Sequence, residues 1–139
     1  MREKLPEFEA RGVRLGCVVQ GSAEEAARFC GRHGVEQICL PDPEKESYRA
    51  MRLGRTTWSK LLFASPELRR RRRESAASGC SNNLTGALQE HTDILQLPGA
   101  ALMARGGNIL WLHRGTHPGD VPLAGELLGV VKQRLALSF

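Results

Sequence analysis

The sequence predicts an α/β domain, and three observations support that prediction. Apolar runs of strand length alternate with segments whose apolar residues repeat at helical spacing, in the order strand, helix, strand, helix. Two later apolar runs flank an Arg-Gly-Gly-Asn turn, which is a strong local signal for an antiparallel hairpin. The 139 residues, of which 41% are hydrophobic, are enough for one domain with its own core.

The first half of the chain contains the alternating units. Ser22 and Glu25 form a capping-box pattern that starts a helix, and Pro41 ends the second strand. The mostly apolar first strand is typical of a sheet covered on both faces. The predicted elements are a helix over 2–11 closed by Gly12, a strand over 13–20, a helix from Ser22, a strand over 36–40 and a helix over 44–53.

The second half contains the hairpin and the closing helix. Ser65 and Pro66 have the residue types of a helix cap and a first helical position, and an irregular loop over 78–93 follows that helix. The hairpin spans 99–113. Pro98 directly precedes it, which fits a residue that has no N–H to donate to a strand ladder. The chain closes with an amphipathic helix over 123–137, whose predicted buried side consists of Leu127, Leu128, Val131 and Leu135.

Composition and charge exclude several classes of protein. No stretch approaches 18 apolar residues, so we expect no membrane span. The first twelve residues are charged and lack the apolar segment of a secretory signal, so we expect a cytoplasmic location. The formal net charge is +5, and the Arg69–Arg73 run alone contributes five positive charges. The net charge of the rest of the chain is therefore zero.

The four cysteines, Cys17, Cys30, Cys39 and Cys80, show no redox or zinc pattern. No two of them lie within three residues of each other, which excludes a Cys-x-x-Cys dyad and the usual zinc knuckle. Cys17 and Cys39 lie in the apolar strands, where a thiol packs as a small hydrophobic side chain. The sequence leaves open whether Cys30 and Cys39 meet across a helix–strand contact.

Three stretches resemble the AhpC/TSA peroxiredoxin-like proteins, including the branch related to prostamide/prostaglandin F synthase. PEFEARGVRLGCVVQGS, residues 6–22, resembles the helix end and strand that follow the catalytic helix of that family. LPDPEKESYRAMRLGR, residues 40–55, resembles its Asp-Pro segment. LQLPGAALMARGGNILWLHRGTHPGD, residues 95–120, resembles its cis-proline hairpin. The resemblance covers nearly the whole chain and implies a thioredoxin-like, peroxiredoxin-like sheet flanked by helices.

The resemblance also implies an N-terminally incomplete domain over 1–139. In the family, a strand and the start of a helix carry the redox cysteine before the first of these stretches, and none of the four cysteines matches that position. The missing strand is central, between residues 13–19 and 100–104, and unpaired edges there are costly. We expect that those two strands pair directly, that another chain fills the position, or that the chain is a fragment of a longer one.

Four residues make up the candidate site. The resemblance implies that Leu97 and Pro98 form the cis-proline step that lines the site; an ordinary strand-opening proline is the alternative. Arg114 follows the second hairpin strand, where the family places a cation near the thiolate, and a surface arginine is the alternative. Cys80 lies in a Gly-Cys-Ser-Asn-Asn loop and is the cysteine expected to be most exposed. It is a candidate redox thiol or an incidental loop residue.

Two other patterns are weaker as sites. His113, His117 and Asp120 lack a fourth ligand, so we expect no metal site, and we expect no cofactor. Five successive arginines on a helix point all round its axis, and no aromatic residues interleave them. The Arg69–Arg73 run therefore favours a solvated helix face over nucleic-acid binding, while binding to an acidic protein or an anion stays open.

By resemblance, the predicted function is that of a peroxiredoxin-like, thiol-dependent antioxidant oxidoreductase. In such proteins a cysteine thiolate attacks a peroxide oxygen and becomes a sulfenic acid, which a second thiol resolves. Because the nucleophile of the family has no counterpart, we expect this chain alone to be inactive. The alternative is a non-catalytic redoxin-like binding or dimerisation module. The expected partners are a second copy that completes the sheet and a thiol reductant.

Overall fold

A computed structural model describes residues 1–35, 38–63, 66, 69–70, 73 and 93–137. Its strands are β1 Cys17–Val19, β2 Cys39–Pro41, β3 Gly99–Met103 and β4 Ile109–Arg114. Its helices are α1 Leu5–Glu9, preceded by a 3₁₀ turn over Arg2–Lys4, then α2 Ala23–His33, α3 Glu46–Ala50, α4 Trp58–Leu62 and α5 Ala124–Ala136. The described part of the chain is therefore α/β, as the sequence predicts.

The first pair of strands is parallel, and α2 connects them. Cys17 pairs with Cys39, and Val19 pairs with Pro41. The strand predicted over 13–20 is shorter than expected, because the Val13 N–H donates to Phe8 O in the turn that ends α1 (3.0 Å). The second strand, predicted over 36–40, also differs from the prediction, because β2 includes Pro41 as its last residue. Proline has no N–H to donate to a further strand pair, and it is tolerated at this position.

The start of α2 confirms the capping-box prediction. The Glu25 N–H donates to Ser22 Oγ (3.2 Å), and the Ser22 N–H donates to Glu25 Oε2 (2.7 Å). Two backbone donors at the helix start are therefore satisfied reciprocally. The helix ends at Gly34, whose φ of 65° is the left-handed conformation that glycine adopts without strain.

The helix predicted over 44–53 forms only as the short α3. Asp42 begins it by accepting hydrogen bonds from the N–H groups of Glu46 and Ser47 (2.9 and 3.0 Å). Lys45 has a left-handed backbone, with φ 53°, and so cannot be a helical residue. Arg52 is also left-handed, with φ 52°, and this ends the helix before the predicted boundary.

The second pair of strands is the predicted antiparallel hairpin. Gly99 pairs with Arg114 and Leu102 with Trp111, and a register irregularity lies between Leu102 and Met103. Among the described residues, no strand ladder joins this hairpin to β1–β2, since each forms its own two-stranded sheet. Direct pairing of β1 with β3, one of the three alternatives for the incomplete sheet, is therefore not found among the described residues.

The main apolar core joins the two ends of the described chain. Phe8 from α1 and Leu128 and Val131 from α5 are buried together. Partly buried apolar side chains complete this cluster: Val13, Leu102, Leu127 and Leu135. All four residues predicted for the buried side of the closing helix therefore belong to the core, and Leu102 brings β3 against it.

Some predictions lie largely outside the described residues. Pro66, Arg69, Arg70 and Arg73 are helical, whereas the remainder of the predicted arginine-bearing helix is not described. The predicted loop over 78–93 is described only at Asp93. Within the described ranges, no helix combines the length and the apolar character needed to cross a bilayer.

Candidate functional site

The base of the hairpin brings together three of the four predicted site residues. Leu97 is buried, with 7% of its surface exposed, and its N–H donates to Gly54 O (3.0 Å). Pro98 O accepts the N–H of Gly115 (2.8 Å), which follows Arg114 at the end of β4. Leu97, Pro98 and Arg114 therefore lie at one end of the β3–β4 ladder.

The peptide bond between Leu97 and Pro98 is trans, so the prediction of a cis-proline was wrong. A bond before proline prefers trans by about 0.5–1 kcal/mol, and only a surrounding structure that favours cis reverses that preference. With this bond trans, Leu97 donates to Gly54 O and Pro98 O accepts from Gly115. That Pro98 and Leu97 line a substrate site stays a prediction.

Arg114 is exposed and holds two parts of the chain together. Its Nε donates to Met51 O at 2.8 Å, so the guanidinium joins the end of β4 to the turn after α3. This contact gives the side chain a structural partner that the sequence did not indicate. A role as the cation beside a thiolate stays a prediction.

A disulfide joins Cys30 of α2 to Cys39 of β2, with the two Cα atoms 6.3 Å apart. Cys30 is fully buried, and Cys39 is half-buried. This settles the question that the sequence left open, and it corrects the expectation that Cys39 packs as a free thiol. Sequence spacing gives no signal for it, because nine positions separate the two cysteines and the helix–strand contact brings them together.

Cys17 is the free cysteine of the described residues. It is half-buried, and burial raises the pKa of its thiol above the usual value. Its pairing partner across β1–β2 is Cys39. Tyr48 also lies close by: its hydroxyl donates to Val18 O (3.4 Å), and burial followed by the charge of Cys17 raises the pKa of this tyrosine.

Asp93 is the centre of an ion cluster that the sequence did not predict. Its carboxylate accepts from Lys45 Nζ (2.6 Å) and from the guanidinium of Arg55, and its backbone carbonyl accepts from Gln20 Nε2 (3.1 Å). Burial alone would raise the pKa of Asp93, but the hydrogen bonds from Arg55 and Lys45 outweigh it and lower the pKa to about 2. The cluster ties the end of β1 to the segment that leads into the hairpin.

His113 of β4 and Asp120 of the segment after β4 form a second polar cluster. His113 Nε2 lies 3.0 Å from Asp120 Oδ1, and Thr116 donates to Asp120 Oδ2 from both its N–H (2.8 Å) and its hydroxyl (3.0 Å). Burial raises the pKa of Asp120, but the hydrogen bonds from Thr116 and His113 lower it overall. Among the described residues, no three His, Cys, Asp or Glu side chains are placed so that they could hold a metal ion. His117 has a buried Nδ1 without a hydrogen-bond partner.

The prediction of Cys80 as a redox thiol lies outside the described residues. The described residues instead place Cys17, Cys30 and Cys39 around the β1–β2 ladder. This group of three cysteines is the part of the structure with the clearest redox chemistry. The alternation of strand, helix and strand could have indicated it, because a crossover helix packs on the strands that it connects.

Comparison with known protein families gives a match over most of the chain. Residues 1–117 match the model of a protein family described as AhpC/TSA antioxidant enzyme. No curated protein and no solved structure matches the chain.

Proposed function

The chain belongs to the AhpC/TSA antioxidant enzyme family, whose fold is thioredoxin-like and whose function is peroxiredoxin-like redox chemistry, and we propose that it is a thiol-dependent redox protein that does not reduce peroxide by itself. The chain would then share the redox function of the family but would lack its reaction with peroxide. The supporting observation is that Cys30 and Cys39 are joined in a disulfide and that Cys17 is a half-buried free thiol.

Reduction of a peroxide needs a reactive thiolate. The thiolate attacks a peroxide oxygen, and a depressed pKa keeps enough of it present at neutral pH. Burial raises the pKa of Cys17 and so lowers its thiolate fraction. Cys30 and Cys39 have no thiol while they are joined, and Cys30 is fully buried and so is closed to a peroxide when the bond is reduced. The Cys30–Cys39 disulfide, in which Cys39 is half-buried, instead supports exchange with other thiols.

A peroxide-consumption assay tests this proposal. The full chain is given hydrogen peroxide with dithiothreitol as reductant, and the loss of peroxide is compared with a blank that lacks protein. We expect the same rate in both, and the same rate with Cys17→Ser. Thiol-dependent turnover above the blank would contradict the proposal, and its loss in Cys80→Ser would assign the nucleophile to Cys80.

A second candidate function is a non-catalytic dimerisation module, and the sheet topology favours it. The two strand pairs of the described residues do not join into one sheet, and several apolar side chains on their strands are exposed. Leu40 is 56% exposed, and Val18, Met103, Ile109 and Leu110 are each exposed by more than a third. A second copy of the chain that pairs along a free strand edge would cover such residues and complete the sheet.

Sedimentation equilibrium tests the second candidate. A dimer has twice the 15.3 kDa mass of the chain, and Val18→Lys is expected to shift it toward the monomer by placing a charge on β1. Leu137→Lys is the matched control, because Leu137 is an exposed apolar residue after α5 and should leave the dimer intact. A monomer at all concentrations would contradict this function.

The cytoplasmic location and the thiol reductant belong to the same proposal. Disulfides in a reducing cytosol are usually transient and serve catalysis or redox sensing. A Cys30–Cys39 bond in that compartment would be reduced and re-formed, and a thiol reductant is the partner class that such a cycle uses.

A further inference from the structure

We infer that Cys17, Cys30 and Cys39 form a thiol–disulfide exchange site in which Cys39 is the sulfur that changes partners. This inference goes beyond the proposed function, because it concerns a bond within the chain and requires no peroxide. It rests on the strand register, the disulfide and the burial of the three residues.

Cys39 has two cysteine neighbours within the reach of a disulfide. Cys30 is its present partner, with a Cα separation of 6.3 Å. Cys17 is its direct partner across the parallel β1–β2 ladder. Hydrogen-bonded strands lie about 4.8 Å apart, and disulfides span Cα separations of about 4.4–6.8 Å. The Cys30–Cys39 separation lies within this range, and the usual spacing of neighbouring strands places a directly paired residue within it as well. The Cβ atoms of bonded cysteines lie about 3.5–4.5 Å apart, so a Cys17–Cys39 bond draws the two strand ends slightly together.

The strand register also places the two strand sulfurs on one face. Paired residues of neighbouring strands project their side chains to the same side of the sheet. Cys39 projects toward α2, because its sulfur is bonded to Cys30 of that helix. Cys17 is therefore on the α2 side as well. Cys17 and Cys39 form the first pair of the ladder, so no preceding strand pair restrains the distance between these two residues.

The exchange step conserves atoms and electrons. The Cys17 thiolate attacks the Cys39 sulfur, so a Cys17–Cys39 bond forms and the Cys30–Cys39 bond breaks. Cys30 leaves as a thiolate and takes up the proton that Cys17 released. No external oxidant or reductant takes part, because one disulfide and one thiol are present before and after the step.

Position assigns the three roles. Cys17 faces Cys39 directly across the ladder, so Cys39 is the sulfur attacked, and its present partner Cys30 is the leaving group. Burial raises the pKa of Cys17 and makes this exchange slow, and the pairing of Cys17 with Cys39 holds the two residues side by side. The exchange moves the crosslink from α2–β2 to β1–β2, and it releases α2 from its covalent attachment to the sheet.

Disulfide mapping of Cys30→Ala tests the inference most sharply. The variant is prepared in a Cys80→Ser background so that Cys80 cannot compete, oxidised with diamide, acid-quenched, alkylated and digested. We expect the Cys17–Cys39 linked peptide to become the dominant disulfide. It should disappear in the matched variant that also carries Cys17→Ala. Cys17 and Cys39 both recovered as alkylated thiols in folded Cys30→Ala would overturn the inference.

A second measurement uses the chain with its native Cys30 and does not depend on the folding of that variant. The Cys80→Ser chain is incubated under native conditions, acid-quenched and digested. We expect the Cys17–Cys39 linked peptide beside a larger amount of the Cys30–Cys39 peptide, and alkylated Cys30 in the same amount as the former. Digests that contain only the Cys30–Cys39 linkage would overturn the inference.

Discussion

The amide N–H of Gly115 donates a 2.8 Å hydrogen bond to the carbonyl oxygen of Pro98, and this bond closes the base of the β3–β4 hairpin. The two backbones approach so closely that a Cβ on Gly115 would lie 2.8 Å from Pro98 O and 2.9 Å from Pro98 Cγ. Such distances are too short for a methyl group, and the nearest atom belongs to the backbone.

The first prediction concerns this close approach. Gly115→Ala should lower the free energy of unfolding by about 1–3 kcal/mol, because the added methyl group overpacks the contact. The matched control is Gly129→Ala in α5, where a Cβ meets nothing within 4 Å. That change should stabilise the chain by up to about 1 kcal/mol, the difference in helix propensity. Urea denaturation followed by circular dichroism measures both, and equal effects would contradict the prediction.

The second prediction concerns Asp93. Its folded pKa of about 2 lies below the ordinary 3.8, so the carboxylate stabilises the fold above pH 3.8, and this contribution is lost as the pH falls toward 2. The contribution is about 1–2 kcal/mol, toward the lower value because Arg55 is half exposed to solvent.

Asp93→Asn tests this assignment. The variant should be less stable than the wild type at neutral pH, and the difference should shrink as the pH falls through the folded pKa of about 2. Glu9→Gln, which removes an exposed carboxylate from α1, is the control and should change the free energy of unfolding by no more than about 0.5 kcal/mol. An Asp93→Asn profile parallel to that of the wild type from pH 6 to pH 2 would show that the ion cluster contributes nothing.

The third prediction concerns the start of α2. Ser22→Ala removes the acceptor of the Glu25 N–H and should cost about 1 kcal/mol of unfolding free energy. Ser22→Asp keeps an acceptor at the same position and should stay within a few tenths of a kcal/mol of the wild type. Thermal denaturation distinguishes the two, and an equal loss in both variants would mean that the hydroxyl does not cap the helix.

The fourth prediction concerns the Cys30–Cys39 bond. Its reduction should lower the free energy of unfolding by about 2–3 kcal/mol, because the bond closes a short loop in the unfolded chain. Urea denaturation with and without dithiothreitol measures the difference. Cys39→Ala should remove the effect of the reductant, whereas Cys80→Ser should keep it. A reductant effect that survives Cys39→Ala would contradict the assignment of the bond.

Local patterns predicted the elements that local chemistry determines. The capping box at Ser22, the hairpin and the buried side of the closing helix follow from side chains near in sequence. Strand lengths did not follow, since a strand extends only as far as its neighbour pairs with it: β1 has three residues because its ladder with β2 has three pairs. The extent of each ladder is a tertiary property.

The candidate site was less predictable, for the same physical reason. The Cys30–Cys39 bond and the Asp93 cluster join residues that tertiary packing brings together. Asp93 lies 48 positions after Lys45, and no spacing rule connects them. At Pro98 the error came from the family resemblance, which predicted a cis bond. The structure has a trans bond there, with Leu97 and Pro98 both hydrogen-bonded.

The redox chemistry proposed for this chain depends on a Cys30–Cys39 disulfide that forms and is reduced. The most direct measurement counts thiols by mass, with N-ethylmaleimide added in denaturant to acid-quenched protein before and after reduction by dithiothreitol. The chain has four cysteines, two of which share the Cys30–Cys39 bond. We expect two adducts before reduction and four after it. Four adducts before reduction would show that the disulfide is absent and would contradict the proposed redox chemistry.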